Sequence, residues 1–495
     1  MKRLSILLFL FLFCGILNLF SQRIDNVWPL GYDCCQYPDF GAANLTFTSQ
    51  SMNVNVVQRH QNLNATNASV NDSANNILFT SNGVYIANAL DDTMQNGNGL
   101  NPSYFTNQHL RFGLTVPQGN LVLPSLTDLK QFILFHNTID DYLNTGASYK
   151  LYYTTIDMNQ NGGLGAVVNK NTVLYTDTMT PGRITACRHA NGRDWWITVR
   201  KFRSLKLIEF LYTPFGIQGP FYGYLSVKRD LNGGQSAFNP QGTKYAYFES
   251  YKGLELADFD RCTGQVSNQI LCEINDSSVY GAGACFSSNG RFLYIATVDH
   301  LYQYDTWSTN VDSSRILITV ADGFADPLTS NITLFWLMAL GPDGKIYMST
   351  ASSTPYLHVI NSPDSLGLAC DFCQHCIALP IVNAFTMPNF PNYLLGAEVG
   401  SVCDSLTSST NDLKNLTQDI ILFPNPAINL LTVKSSTTKI ESITIYNALS
   451  QIVEAKIEKQ KLDQLQLNIE QLEAGFYYME VITERGKAVK KFVKQ

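Results

Sequence analysis

Apolar and polar residues alternate in short runs along most of the chain, and helical periodicity is almost absent from residue 76 onward. The runs are separated by Asn-Gly, Pro-Asp-Gly and similar turn sequences. An alternation with a period of two is typical of strands with one buried face, and such turns are typical of tight hairpins. The pattern therefore predicts an all-β protein made of consecutive hairpins.

One strand-turn-strand pattern recurs. It consists of an apolar strand end, a turn with Asn or Asp before Gly, and an alternating strand with Tyr or Phe on one face. It occurs at residues 238–247, 286–295 and 340–348, with a degenerate copy at 79–86. The glycines of the first three copies are Gly242, Gly290 and Gly344, so the spacings are 48 and 54 residues.

A further strand follows the repeated pattern, as at residues 253–260 and 301–305. Repeats of roughly 40 to 50 residues with about four strands each are typical of propeller blades, which bury their apolar faces only by stacking. We predict a six- or seven-bladed β-propeller over residues 22–400. Residues 401–419 are rich in Ser, Thr and Asn, which predicts a linker.

Residues 420–495 have the pattern of a separate, small β-domain, for which we predict an Ig-like β-sandwich. Four of its segments are Pro424-Asn425-Pro426, Ile443 to Asn447, Gly475-Phe476-Tyr477 and Lys490 to Lys494. On these segments the tail resembles the C-terminal sorting domain of the type IX secretion system of Bacteroidetes. One position departs from the family pattern, because Ser450-Gln451 stands where Gly-Gln is usual.

The resemblance implies a partner and a set of functional residues. The partner is the type IX secretion machinery, and the sorting signal comprises Pro424, Asn425, Pro426, Gly475, Tyr477, Lys490 and Lys491. The repeats themselves resemble the divergent WD-repeat-like propellers of exported proteins that carry the same tail, most clearly at residues 185–196 and 342–347. That second resemblance implies a scaffold and no activity.

The N-terminus predicts export independently of the tail. Lys2 and Arg3 precede an apolar run from Leu4 to Phe20, followed by Ser21. This is the pattern of a signal peptide over residues 1–21, and the run is shorter than the roughly 20 residues that span a bilayer. We therefore expect no transmembrane segment in the mature chain, which would pass through the periplasm to the outer-membrane surface or the medium.

Charge is distributed unevenly between the two parts. Residues 23–419 contain 22 Lys and Arg against 32 Asp and Glu, a net charge of −10, whereas residues 420–495 contain 10 against 8, a net charge of +2. An acidic main domain argues against nucleic acid as a partner, since phosphate neutralisation supplies most of that affinity. One basic run is expected to lie on the solvated faces of a hairpin: Arg183, Arg188, Arg193, Arg200, Lys201, Arg203 and Lys206.

Ten of the eleven cysteines follow the signal peptide, and in an exported protein disulfides are the default. The connectivity stays open. The candidates are Cys262 and Cys272, which bracket a hairpin, and Cys370, Cys373, Cys376 and Cys403. Three of these thiols with His375 have a spacing that suits zinc, but an oxidising environment favours disulfides, so no metal is expected.

Other candidate sites have structural explanations. The run from Asp157 to Gly163 imitates a calcium loop, but Val168 stands where a bidentate Glu is needed, which favours a plain hairpin. His189 and Asp194 flank an Asn-Gly turn, which predicts a structural contact. The chain has no Gly-x-Ser-x-Gly, His-Glu-x-x-His, phosphate-binding or sialidase motif. We therefore predict no catalytic residue and no cofactor.

Two principal functions remain for such a chain. The first is a non-enzymatic exported propeller that presents its loops or channel to a glycan, protein or peptide. The alternative is a propeller glycan hydrolase or lyase with its active site in the central channel, and a structural role in adhesion or a surface layer is a third possibility. Convergence of carboxylates, His or Tyr from different blades in the channel would favour the enzyme.

Deleting residues 420–495 tests the sorting assignment. The signal peptide should still deliver the chain to the periplasm, so the truncated propeller is expected to accumulate there and to be missing from the medium. Cell fractionation with immunoblotting measures this distribution. Normal amounts of truncated protein outside the cell would contradict a sorting role of the tail.

Overall fold

In this computed structural model the chain divides into two compact units, residues 1–397 and 398–495, which are considered separately. The predicted signal peptide and most of the predicted linker lie outside the described residues. The structure describes residues 23–33, 40–226, 234–249, 253–274, 281–404, 420–435, 439–447, 452–461, 463–483 and 486–495.

The first unit is a β-propeller with seven blades among the described residues. Helical structure is limited to α1, Tyr104–Gln108, and three short 3-10 turns at Asn161–Gly163, Asp312–Ser314 and Gly367–Cys370. No described helix has the length and apolar character needed to cross a membrane.

Blades 1 to 3 contain strands β1 to β11. Their bounds are β1 Val27–Gly31, β2 Ala42–Phe47 and β3 Met52–Val57 in blade 1; β4 Ala68–Asn71, β5 Ile77–Ser81, β6 Tyr85–Asn88 and β7 Thr93–Asn98 in blade 2; and β8 Asn120–Pro124, β9 Gln131–His136, β10 Ser148–Asp157 and β11 Ala166–Met179 in blade 3.

Blades 4 to 7 contain strands β12 to β27. Their bounds are β12 Thr185–Arg188, β13 Trp195–Arg200, β14 Lys206–Thr213 and β15 Gly216–Tyr224 in blade 4; β16 Gln235–Phe238, β17 Lys244–Glu249, β18 Gly253–Phe259 and β19 Val266–Cys272 in blade 5; β20 Gly281–Phe286, β21 Phe292–Thr297, β22 His300–Asp305 and β23 Ile316–Val320 in blade 6; and β24 Phe335–Leu340, β25 Ile346–Thr350, β26 Ser353–Ile360 and β27 Phe372–Ala384 in blade 7.

Blades 2 and 3 are joined at their outer edges into one eight-stranded sheet. The join is a parallel pairing of Ala166 on β11 with Gln95 on β7, whereas the strands within each blade are antiparallel. In the later blades the first strands contact one another, β12 with β16, β16 with β20 and β20 with β24. These first strands therefore line the centre of the ring.

The recurring turn predicted from the sequence connects the first and second strands of blades 5, 6 and 7. Its glycines, Gly242, Gly290 and Gly344, have φ of 71°, 75° and 81°, a region that residues with a Cβ rarely occupy. The degenerate copy is out of phase, because Gly83 lies between the second and third strands of blade 2. The sequence pattern thus marks the blades correctly from blade 5 onward.

Blade 1 closes the ring between blades 7 and 2. Its strands β1 and β2 contact β27, and β1 also lies against β4. Amide side chains from blade 2 bind the backbone of β1. Asn71 Oδ1 accepts from the Val27 N–H at 3.1 Å, and Asn67 Nδ2 donates to the Pro29 carbonyl at 2.8 Å. The N-terminal strand is thereby fixed by amide side chains.

The basic run is not solvated as the sequence suggested, because three of its arginines pack between blades 4 and 5 or line the ring centre. Arg200 is fully buried, pairs with Glu255 at 3.1 Å and stacks on Tyr247 at 4.8 Å. Arg183 also lies over Tyr247. A delocalised guanidinium is tolerated there because an aromatic face and a carboxylate compensate its lost hydration.

The cysteines correct part of the disulfide prediction. Cys373 and Cys376 are bridged to each other, and Cys262 and Cys403 are disulfide-bonded. Cys272 and Cys370 are buried thiols outside any disulfide, as are Cys187 and Cys285. Cys272 pairs with Leu254 at the end of the β18–β19 hairpin that is remote from Cys262, so those two residues cannot bridge.

The second unit is a small β-sandwich, which confirms the fold predicted for the tail. Its two sheets have the strand orders β28-β29-β33-β32 and β31-β30-β34-β35 and share one core that includes Leu431, Val433, Met479 and Val481. The strand bounds are β28 Ile420–Phe423, β29 Leu430–Ser435, β30 Ile440–Tyr446, β31 Ile452–Val453, β32 Lys456–Lys461, β33 Gln464–Asn468, β34 Gly475–Thr483 and β35 Gly486–Lys494.

Glu209 is a carboxyl group buried inside the propeller without a hydrogen-bond partner among the described residues. It lies fully buried on β14, opposite Thr198, and neither carboxyl oxygen has a hydrogen-bond partner among the described residues. Burial raises its pKa from 4.5 to about 8. The folded chain therefore holds a proton that the unfolded chain releases above its ordinary pKa.

Replacing Glu209 with Gln tests this assignment. Because the folded-state pKa is raised, wild-type stability should fall as the pH rises between the two pKa values. We expect Glu209→Gln to be more stable than wild type near pH 8, the difference growing by roughly 2 to 4 kcal/mol from about pH 5. Denaturant unfolding at both pH values measures it, with exposed Glu273→Gln as control. Parallel pH profiles for wild type and Glu209→Gln would contradict a raised pKa.

Candidate functional site

The segment after β27 enters the centre of the propeller. Asn389 donates from Nδ2 to the carbonyls of Asn120 and Ile184, both at 2.8 Å, and its N–H donates to the Asn67 carbonyl at 3.1 Å. These carbonyls precede or begin the first strands of blades 3, 4 and 2. Gln118 extends the network to blade 5 by donating to Asn389 Oδ1 and to the Ser236 carbonyl.

The segment continues along the channel beside the first strands. Tyr393 donates to the Val122 carbonyl at 2.7 Å, Arg188 donates to the Tyr393 carbonyl at 3.0 Å, and Asn392 donates to the Pro240 carbonyl at 2.8 Å. Its contacts thus move from the beginnings of the first strands to their ends. We call residues 385–397 the closing segment.

Side chains hold the closing segment because a strand ladder is not available to it. Pro388 and Pro391 lack an N–H, so regular pairing with a neighbouring strand is interrupted. Apolar packing supplies the rest, since Phe390 and Met387 lie in the cluster around Trp28. The closing segment therefore lies in the channel, with partners in blades 1 to 5 and in blade 7.

Beside the closing segment the channel contains a cavity of about 380 Å³, which we call the channel pocket. Each of the first strands β12, β16, β20 and β24 contributes an alanine, and the closing segment contributes Pro388, Phe390 and Pro391. Methyl side chains leave open the space that larger residues would fill. The four alanines are Ala186, Ala237, Ala284 and Ala339.

Charged side chains are few in the channel pocket: Arg23, Asp25 and Arg188. Arg188 stacks over Trp195 at 4.3 Å, and burial together with neighbouring Arg261 lowers its pKa to about 10. Burial raises the pKa of Asp25, against the opposing effect of Arg23, and its Oδ1 has no hydrogen-bond partner among the described residues.

This lining bears on the chemistry available in the channel. Glycoside hydrolysis generally uses two carboxyl groups, about 5 to 9.5 Å apart. Among the described residues that line the channel pocket, Asp25 is the one carboxylate, and none is a His or Tyr. The lining therefore supplies an apolar cavity with a charged rim and no acid/base pair.

His189 and Asp194, the pair considered for general base catalysis, have structural roles. The His189 N–H donates to the Asp194 carbonyl at 2.8 Å across the turn. Their side chains are engaged elsewhere, since Nε2 of His189 lies 3.0 Å from the Cys262 carbonyl and Asp194 pairs with Arg193. The side chains do not form a dyad.

Two segments were considered as metal sites: the run from Asp157 to Gly163 and the cysteines around His375. The side chains of both make contacts within the protein instead. Asp157 accepts from the Asn159 N–H at 2.9 Å in the β10–β11 hairpin, and the bridge between Cys373 and Cys376 leaves neither as a thiolate. His375 contacts Asp322 at 2.8 Å. Within the described ranges, no three His, Cys, Asp or Glu residues are grouped to hold a metal.

The predicted sorting residues lie mostly at the end of the tail sandwich where β35 finishes. Asn425 Oδ1 accepts from the Val493 N–H at 2.9 Å, and its Nδ2 donates to the Lys491 carbonyl at 3.2 Å. Tyr477 stacks on Phe492, and the Lys491 ammonium lies 4.0 Å from the Phe476 ring centre. Asn425, between Pro424 and Pro426, thus fastens the first turn of the tail to its last strand.

Gly475, one of the predicted sorting residues, lies in a strand and not in a turn. It begins strand β34, is not among the residues with positive φ, and has no atom within 4 Å of an added Cβ. Backbone geometry therefore does not require glycine there. Lys490 pairs with Met479 across the sheet.

Residues 421–495 match the family of the secretion system C-terminal sorting domain. The chain therefore carries a type IX sorting domain behind a β-propeller, and such a tail directs a protein out of the cell. No curated protein matches the sequence.

Among solved structures, the chain is similar to a putative 6-phosphogluconolactonase from Bacteroides fragilis, at 11% identity and a TM-score of 0.44, over 72% of this chain and 97% of that one. The β-propeller domain of Cps50 (Swd1) from Myceliophteria thermophila is similar at 10% identity and a TM-score of 0.37, over 67% of this chain and 96% of that one. Similarity at these levels carries no information about activity.

Sequence reasoning missed Arg23, Asp25, Asn389 and the four alanines. The alanines were detectable, because each precedes the turn glycine of its blade by five or six residues. The run Pro388-Asn389-Phe390-Pro391-Asn392 also had an unusual composition of prolines and amides. Its destination was not detectable, since its hydrogen-bond partners are more than 200 residues away.

Replacing Asn425 with Ala tests whether this fastening is needed for sorting. The change removes both hydrogen bonds to β35, which should destabilise the tail by about 1 kcal/mol and lower the secreted fraction. Asn429→Ala is the matched control, because Asn429 is an exposed residue of the same tail that lies outside the predicted sorting signal, and it should be secreted like wild type. Immunoblots of medium and periplasm measure both. The assignment fails if Asn425→Ala is secreted normally.

Proposed function

We propose that this chain is an exported recognition protein that binds its ligand in the channel pocket without chemical turnover. The observation that carries the proposal is the channel itself, which the closing segment fills in part and which contains a cavity of about 380 Å³. Apolar pockets of this size with a few converging polar groups are typical of ligand sites. The tail takes the protein to the place where recognition occurs.

Binding is favoured over catalysis by the lining. Its walls are alanines, prolines and phenylalanines, and Asp25 is the one carboxylate among the described lining residues. A single carboxylate beside arginines can orient a ligand, whereas hydrolysis of a glycan generally uses a second acidic group. We place the mature protein outside the cell or on its outer surface, after removal of the signal peptide.

The channel pocket can be blocked without touching its charges. Ala237 lies in the wall on β16 and is partly exposed to the cavity, so Ala237→Leu should fill part of the space. We expect ligand binding by the exported protein to fall roughly tenfold or more, since the added atoms exclude the ligand. Ala74→Leu, on an exposed turn outside the pocket, should bind like wild type.

A screen of the exported protein against glycans, peptides and small acids supplies the ligands for this comparison. Binding that is equally strong in Ala237→Leu would place the site elsewhere on the propeller. Release of shortened products from any screened polymer would overturn the proposal of recognition without turnover.

A further inference from the structure

Two neighbouring arginines, Arg188 in the channel pocket and Arg261 behind it in sequence, have no carboxylate partner among the described residues. Arg261 is 4% exposed and donates from Nε to the Arg188 carbonyl at 2.9 Å, so the two residues are neighbours. All hydrogen bonds of Arg188 end on backbone carbonyls, those of Gly192, Arg193 and Tyr393. The same holds for Arg261, whose acceptors are the carbonyls of Arg188, Gln241, His189 and Gly396.

These charges differ from that of Arg200, another buried arginine of the propeller, because Arg200 has Glu255 as a counter-ion. A guanidinium bound only to carbonyls keeps its full charge, and two such groups side by side repel each other. The lowered pKa of Arg188 agrees with this repulsion. Arg23 adds a third positive charge to the rim, 3.4 Å from the Pro342 carbonyl.

Arg188 also has a donor to spare. Its Nε is buried and has no acceptor among the described residues. The edge of a guanidinium that carries the Nε–H is one that a carboxylate binds through two parallel hydrogen bonds. An anionic ligand in the channel pocket would therefore compensate a charge that has no carboxylate partner among the described residues.

Most of the other polar groups of the lining are already engaged, and Oδ1 of Asp25 is the exception. Gln235 donates to the Met338 carbonyl and accepts from the Ala284 and Met338 N–H groups. Asn239 is used within its own turn, and Ser288 bonds Asp364. A sugar brings many hydroxyl groups and would leave most of them unpaired here, at a cost for each buried one. An apolar body fits this lining better.

We infer that the channel pocket binds an apolar carboxylate, with the carboxylate at Arg188 and Arg23 and the apolar body against the phenylalanines of the wall. This inference rests on the proposed function. The same chemistry has two sources, a small organic acid or the C-terminal carboxylate of an apolar peptide. The phenylalanines are Phe238, Phe286 and Phe390.

Isothermal titration of the exported protein with matched acids and amides tests the inference. The probes are 3-phenylpropionate with 3-phenylpropionamide, and acetyl-Ala-Pro-Phe with its C-terminal amide. We expect the acid of at least one pair to bind roughly tenfold or more tightly than its amide. The acid is ionised and accepts charge-assisted hydrogen bonds from Arg188, whereas the amide is neutral. Binding of the small acid alone identifies an organic acid as the source, and binding of the peptide acid alone identifies a peptide terminus.

Substitutions of single arginines distinguish binding at the channel pocket from a general effect of removing positive charge. Arg188→Met should abolish the preference for the acid, and Arg23→Gln, on the outer rim, should reduce it roughly threefold or more. Arg193→Gln is the matched control, because Arg193 lies in the same turn but pairs with Asp194 outside the pocket. If Arg188→Met does not fold, Arg23→Gln decides the question.

Equal binding of acids and amides, or an equal loss in Arg193→Gln and Arg23→Gln, would overturn the inference. Binding of an oligosaccharide that Ala237→Leu abolishes, with no binding of either apolar acid, would also overturn it while leaving the proposed function intact. If nothing binds in a manner sensitive to Ala237→Leu, the proposed function itself fails.

Discussion

The hydrogen bonds of Asn389 are the interaction on which the centre of the propeller depends. The first strands of the blades face the channel, and buried carbonyls and N–H groups there require partners. Asn389 donates to the carbonyls of Asn120 and Ile184, and its N–H donates to Asn67, so one residue joins three blades. The ring is thus completed by residues that immediately precede the tail unit, although their partners lie far back in the chain.

The closing segment also determines what the channel can bind. It fills part of the channel and lines the remaining cavity with Pro388, Phe390 and Pro391, together with the alanines of blades 4 to 7. The cavity is therefore a consequence of how the ring is closed. Arg188 connects the two features, because it donates to the Tyr393 carbonyl of the closing segment and also lines the channel pocket.

Local patterns were predictable from the sequence, and long-range ones were not. The Asn-Gly and Asp-Gly turns, the blade repeat and the tail sandwich depend on neighbouring residues, so alternation and turn chemistry revealed them. The closing segment has no periodicity, because its prolines exclude a ladder. Burial of Arg183 and Arg200 depends on Tyr247 and Glu255 from the next blade, and the free thiol of Cys272 depends on its register with Leu254, neither of which spacing encodes.

Hydrogen exchange of the exported protein tests the central claim, that the closing segment fills the channel. The Asn389 N–H is bonded to the Asn67 carbonyl inside the ring. The account predicts that a peptide containing Asn389 exchanges as slowly as peptides from β12 and β16, since its opening requires the ring to open. Exchange as fast as at the exposed residues Val399 and Val402 would show that the segment lies outside the channel and would contradict the account.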